Sequence, residues 1–217
     1  MSAPETTTPP TAPPPLPTAT SAASVPVKPS LAVGADGLAR CAWANGDAEY
    51  ERYHDEEWGT ALHGDRELFE KLCLEGFQAG LSWITILRRR PAFRRAFHDF
   101  DVESVAAMTD DDVERLLSDA SIIRHRGKIE ATIGNARVTR ALESGLAELM
   151  WSFAPDASGR SRPASFAEIP AVTPESTALS KTLRALGYRF VGPTTMYALM
   201  QSSGMVDDHV EGCFRAA

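Results

Sequence analysis

The sequence predicts an all-α fold, on three observations. From Leu38 onward, apolar residues recur at the three- and four-residue intervals of amphipathic helices. Capping residues, Pro and Gly stand at the ends of several of these runs, where helices start and stop. Strand-like alternation is confined to one short stretch, Tyr188-Arg189-Phe190-Val191.

Residues 1–37 hold most of the 15 prolines, many Thr, Ala and Ser, and no aromatic residue. Such a segment buries too little apolar surface to offset its ordering entropy, so a disordered tail is expected there, with one helical domain over 38–217. Asp65-Arg66-Glu67 opens a run with Leu68, Phe69, Leu72 and Cys73 at helical spacing, and Cys73 is expected in the core. Ser82 is the candidate cap of a helix from Trp83 to Arg90, which Pro91 is expected to interrupt before Phe93 and Phe97 resume. Thr109 and Asp112 form a capping-box pattern ahead of Val113, Leu116 and Leu117. Lys128 to Leu142 turns Ile129, Ile133, Ala136 and Ala141 inward. Thr173-Pro174-Glu175 opens a helix that Gly187 closes, and Pro193 starts another that stops near Gly204. The Ser-, Pro- and Ala-rich stretch from Ala154 to Thr173 is expected to separate helical lobes.

The chain has 217 residues, 43% of them apolar and 24% charged, enough for one core or two lobes sharing a cleft. A net charge of −7 argues against a protein that coats nucleic acid, but leaves room for a DNA enzyme with a small footprint. Three cysteines are too few and odd in number for a secreted disulfide scaffold, which points to a reducing compartment. No apolar run approaches the ~20 residues that span a bilayer, and the amino terminus does not read as a secretory signal. A soluble, cytoplasmic protein without a membrane partner is expected.

Two cysteines and two histidines are candidate metal ligands. His209 and Cys213, at i and i+4, share one face if their stretch is helical, and Cys41 and His54 lie far upstream. Two thiolates and two imidazoles suit tetrahedral zinc, and a site filled by four protein ligands is structural rather than catalytic. The spacing is not that of a standard finger, so a buried Cys41 with ordinary surface histidines fits it as well. If the metal is bound, it fastens the start of the domain to its end.

Asp119 to Ile129 joins two predicted helices by a tight turn with Ile122 and Ile123 as apolar anchors and Arg124, His125, Arg126 and Lys128 around it. A turn of this kind at a helix amino terminus receives a phosphate; a solvated basic turn is the alternative. Arg88-Arg89-Arg90 with Arg94 and Arg95 forms a second basic run at a helix end. Leu74-Glu75-Gly76-Phe77-Gln78-Ala79-Gly80-Leu81-Ser82-Trp83 sets a carboxylate, two glycines and a tryptophan where strong helix formers would be expected. Gly76 and Gly80 allow close approach of a backbone or a flat ligand, and Glu75 among apolar residues is a candidate desolvated acid. Trp43 and Tyr53 neighbour the metal candidates, so aromatic walls with one carboxylate would suit a flat cationic base. Core packing is the alternative for Trp43 and Trp58.

Arg40-Cys41-Ala42-Trp43, Tyr53-His54-Asp55-Glu56-Glu57-Trp58-Gly59, Cys73 to Thr85, Ile122 to Ile129, Gly134-Asn135-Ala136, Phe190-Val191-Gly192 and Asp208-His209-Val210-Glu211-Gly212-Cys213 together resemble the constitutive bacterial DNA-3-methyladenine glycosylase I family. The similarity runs in order from Arg40 to Cys213. It implies a divergent helix–hairpin–helix glycosylase that removes 3-methyladenine from double-stranded alkylated DNA as a monofunctional, monomeric enzyme. By the same resemblance Cys41, His54, His209 and Cys213 hold structural zinc, Glu75 hydrogen-bonds the flipped base, and Tyr53, Trp83 and Trp43 line its pocket. Arg124, Arg126 and Lys128 are the DNA-contact candidates. Ser121 stands where the family usually has glycine; if that position needs positive φ, serine is strained there. A noncatalytic, zinc-stabilised DNA-binding relative is the alternative.

Overall fold

Ten consecutive residues of one helix, Leu68 to Phe77, are buried, and the other elements are arranged around it. A helix buried on nearly every side belongs inside a helical domain. The computed structural model describes residues 29–216, apart from 157 and 159. Two short antiparallel strands, β1 (Leu31–Val33) and β2 (Ala39–Cys41), pair Leu31 with Cys41. Nine α-helices follow among the described residues: α1 (Ala48–Glu56), α2 (Asp65–Gln78), α3 (Trp83–Ala96), α4 (Val102–Ala106), α5 (Asp110–Ser118), α6 (Arg126–Arg140), α7 (Gly145–Trp151), α8 (Pro174–Leu186) and α9 (Pro193–Ser202). The fold is thus mostly helical with a small sheet, rather than all-α. Strand β1 falls inside the stretch expected to be tail, and residues 1–28 of that tail lie outside the described residues.

The central helix α2 packs against α3, α6, α7 and α9. Its core side chains, among them Leu68, Phe69, Leu72 and Phe77, share a cluster with Phe93 of α3, Phe97 just beyond it, and Ile129 and Ile133 of α6; Ala141, expected inward, is exposed just past the end of α6. Cys73 is part of this core, as expected, and burial pushes its thiol far above the ordinary range. Gly76 permits a close approach: a Cβ there would come within 3.3 Å of Phe190 Cβ. Phe190 is why residues 188–191 form no strand. It holds φ at +59°, a left-handed conformation that breaks an extended run.

Helix α3 runs through Pro91 without a break. Proline removes one donor and strains the preceding turn, yet Leu87, Ala92, Phe93 and Ala96 are all buried, and their packing holds the helix together. The Thr109 N–H donates to Asp112 Oδ2 at 2.9 Å, completing the capping box at α5. Thr173 and Pro174 open α8, and Gly187 ends it at φ +103°. Residues 154–173 do not divide the domain. They lie across it, with Phe166 N–H on Ser30 Oγ at 3.1 Å, Glu211 N–H on Pro163 O at 3.0 Å, and Arg160 on Asp208 at 2.5 Å. No helix among the described residues is long and apolar enough to cross a membrane.

Candidate base-binding cavity and metal cluster

A cavity of about 310 Å³ opens between α1, the end of α2, the start of α3 and α9. Its walls are aromatic: Trp43, Tyr50, Tyr53, Trp58 and Trp83, closed on one side by Phe166. Tyr50 and Tyr53 stand three apart on α1, hence on one face. Tyr50 also fixes the mouth, because its hydroxyl accepts the Ile84 N–H at 3.0 Å at the start of α3, beside Trp83. Ring centroids lie 5.5 Å apart for Tyr53 and Trp83 and 5.2 Å apart for Trp43 and Trp58. The first pair is tilted, at 48° between ring planes, and the second is edge-on, at 77°.

Among the described residues, one carboxyl group lines the cavity. Glu75 is 4% exposed and accepts from Ser202 Oγ at 3.2 Å. Burial pushes its carboxyl up to about 7, against the pull of Lys71 one turn earlier and of the Ser202 hydroxyl. Lys71 is itself buried; its ammonium donates to Tyr53 Oη at 3.5 Å and stands 4.6 Å from that ring's centre. Burial drives Lys71 down to about 8, opposed by Glu57. Glu57 is tied in turn to Arg90 through two bonds of 2.5 and 2.7 Å. Burial would raise Glu57, but the Arg90 pair outweighs it and holds the carboxyl at about 2. The cavity floor therefore rests on a chain of paired charges.

Cys41, His54, His209 and Cys213 are all buried, and their ligand atoms lie within 4.8 Å of one another. Cys213 Sγ is 3.4 Å from His54 Nε2 and 3.6 Å from His209 Nδ1, and Cys41 Sγ is 3.8 Å from His209 Nδ1. Each imidazole turns its other nitrogen to an acceptor: His54 Nδ1 to Asp55 at 2.8 Å, His209 Nε2 to the Trp58 carbonyl at 3.2 Å. Asp55 is held by Arg40, at 3.0 and 2.7 Å. That arrangement frees one nitrogen of each histidine for a metal and fixes its orientation. His209 and Cys213 are not on a helix; residues 207–216 are turns and extended backbone, with Gly212 at φ +84°. Cys41 ends β2, and the Phe214 N–H donates to Ala39 O at 2.8 Å, so the cluster joins both ends of the described domain.

The basic candidates separate. Arg124 is exposed and makes no ion pair among the described residues. Arg126 pairs with Glu114 at 2.7 Å, at half exposure. Lys128 corrects the sequence expectation: it is 7% exposed, and its ammonium donates inward to Phe77 O at 2.8 Å and Ala79 O at 2.7 Å. It caps the carboxy terminus of α2 and spends two of its three ammonium donors inside the protein. Within the second basic run, Arg88 pairs with Asp47, Arg90 with Glu57 and Arg94 with Glu70. Ser121 is not among the residues of positive φ; its N–H and hydroxyl both donate to Asp119 Oδ1, at 2.8 and 2.6 Å. A local side-chain turn shapes the hairpin there, and the strain feared for serine does not arise.

Glu75, Tyr53, Trp83 and Trp43 thus share one cavity. Trp58, for which core packing is the alternative, lines it too, and Tyr50, Phe166 and Gln201 join them unannounced. Tyr50 was readable from its spacing to Tyr53; nothing local marks Phe166 or Gln201.

The sequence profile of the methyladenine glycosylase family matches residues 43–216. DNA-3-methyladenine glycosylase 1 of Escherichia coli (strain K12) is 49% identical over 179 residues, which cover 81% of this chain and 96% of that protein. A crystal structure of 3-methyladenine DNA glycosylase I (TAG) superposes with a TM-score of 0.77 at 49% identity, over 81% of this chain and 98% of the other. The Staphylococcus aureus enzyme, whose structure describes 3-methyladenine recognition, superposes with a TM-score of 0.77 at 33% identity, over 82% and 96% of the two chains. By profile, sequence and fold alike, the chain belongs to the methyladenine glycosylase family.

Proposed function

We propose that this protein hydrolyses the N-glycosidic bond of 3-methyladenine in alkylated double-stranded DNA, acting as a monomer, and leaves an abasic site. The observation that carries the reading is the buried Glu75 carboxylate in an aromatic cavity of about 310 Å³, within a chain of this family. The damaged base is planar and, while attached to the sugar, positively charged. Aromatic faces attract such a cation, and each stacked base is worth ~1–3 kcal/mol. The Glu75 carboxylate accepts a hydrogen bond from the exocyclic amine and offsets the charge. Tyr53, Trp83 and Trp43 hold the ring plane. Because the methylated base is already a good leaving group, the enzyme's share is to extract it, exclude look-alikes and hold the sugar open to water. Arg124, Arg126 and the α6 amino terminus take phosphate in this reading.

Cys41, His54, His209 and Cys213 suit zinc. Zinc bonds of about 2.0–2.3 Å to nitrogen and sulfur imply tetrahedron edges of roughly 3.3–3.8 Å; the sulfur–nitrogen separations of 3.4, 3.6 and 3.8 Å fall in that range, and all four ligand atoms lie within 4.8 Å of one another. Four protein ligands leave no open position, so the ion's contribution is to structure. It fastens the domain's ends and holds Trp58, whose carbonyl accepts from His209, and Tyr53, next to His54.

The test is chromatography of the bases that purified protein releases from methylated duplex DNA. Free 3-methyladenine with unbroken strands is the expected result. No release from folded, metal-loaded protein would favour a noncatalytic binding relative instead.

A further inference from the structure

Resting on that reading, α9 carries a second group able to read the base. Gln201 lines the cavity from α9, and its Nε2 donates to Asp208 Oδ2 at 2.8 Å. Asp208 is 2% exposed and collects two further donors: Tyr197 Oη on Oδ2 at 2.7 Å and Arg160 Nη2 on Oδ1 at 2.5 Å. An ionised carboxylate only accepts, so Gln201 can meet it only with the NH2 side of its amide. The ambiguity of an amide's two ends is thereby removed, and the amide oxygen faces the other way. That oxygen accepts from no group among the described residues, and it is not among the buried polar atoms left without a partner.

We infer that Gln201 is a specificity-determining residue, its carbonyl held toward the cavity by Asp208 to accept a hydrogen bond from the exocyclic amine of the bound base. Glu75 and Gln201 then form a pair of acceptors on one cavity. An adenine-type amine offers two N–H groups and satisfies both. A guanine-type base presents a carbonyl oxygen at the corresponding ring position, and lone pairs would face lone pairs. A site whose buried acceptors are left unpaired rejects the wrong base more strongly than one that merely misfits it. Asp208 acts through Gln201 and is a positioning residue. Arg160 brings the 154–173 segment, which also supplies Phe166, into the same arrangement.

The test measures release of 3-methyladenine and of 3-methylguanine from the same methylated duplex DNA by the full-length protein, with Gln201→Leu and Asp208→Asn alongside. Gln201→Leu keeps the bulk and removes the acceptor. It is expected to lower 3-methyladenine release about tenfold and to spare 3-methylguanine, so that the ratio of the two narrows about tenfold. Asp208→Asn lets the amide turn over and is expected to narrow the ratio in the same direction. A purely structural role would lower both releases together. An unchanged ratio in Gln201→Leu protein that melts like the parent overturns the inference while leaving the glycosylase reading intact. A parent that releases no 3-methyladenine overturns both.

Discussion

Lys128 offers the sharpest contrast between what the sequence suggests and what the fold does. As a basic residue beside a hairpin it looks like a phosphate ligand, yet its ammonium closes the end of α2 on Phe77 O and Ala79 O. Lys128→Met keeps most of the stem's packing and removes two charge-assisted hydrogen bonds. Each such bond is worth ~1.5–3 kcal/mol net, and a cation at a helix carboxy terminus adds ~0.3–1 kcal/mol. Against this stands the cost of burying the ammonium, visible in the lowered pKa that burial gives Lys128. A net loss of ~2–3 kcal/mol follows, which for a domain of this size lowers Tm by ~5–10 °C. Duplex binding is then measured as a function of salt. A lost phosphate contact flattens the slope of log K against log salt by ~0.9; Lys128→Met is expected to leave the slope unchanged, whereas Arg124→Ala flattens it without moving Tm. A Lys128→Met protein with parental Tm and a slope reduced by ~0.9 would refute the cap assignment.

Three further outcomes follow from the same geometry. Trp83→Ala should weaken binding of free 3-methyladenine by ~1–3 kcal/mol, the worth of one stacked base; fluorescence titration checks it, and parental affinity would remove Trp83 from the wall. Metal analysis should find one zinc per chain, and its removal or Cys213→Ser should lower Tm by more than 10 °C, since structural zinc carries ~10–16 kcal/mol of apparent binding energy; a metal-free protein of parental Tm would count against the site. The third concerns pH. Glu75 must be ionised to accept the amine, and burial raises its carboxyl to about 7, so kcat/KM should fall as pH drops through about 7. Because the native pKa lies above the unfolded one, Glu75's contribution to stability runs the opposite way, largest in acid and lost as pH rises through about 7. A pH profile of base release that is flat from 6 to 8 would be inconsistent with this assignment.

What could be read from the sequence followed local rules. Thr109 with Asp112, and Thr173-Pro174 with Gly187, mark helix ends because caps and turns are decided within a few residues. Glu75, Tyr53, Trp43 and Trp83 stood out by chemistry and by resemblance, and they do share a cavity. What could not be read depends on tertiary partners. Pro91 should break α3, but buried neighbours on both sides carry the helix through. Phe190 looks like part of a strand until the close approach of its Cβ to Gly76 and its positive φ are seen. The 154–173 stretch has a linker's composition, yet Arg160 and Phe166 hold it across the cavity. Lys128 and Arg126 differ by two positions and are alike in charge; only the fold turns one inward and the other out.

In the proposed reaction Glu75 is the group that reads the base. Its direct test is release of 3-methyladenine from methylated duplex DNA at saturating enzyme, with parent and Glu75→Gln compared at pH 8. The variant retains size and polarity but loses the charge and replaces one acceptor with a donor. A rate lowered about 10²-fold, in protein of parental Tm and zinc content, is the expected result, in line with the loss of one preorganised electrostatic contact. Excision at the parental rate would contradict the account.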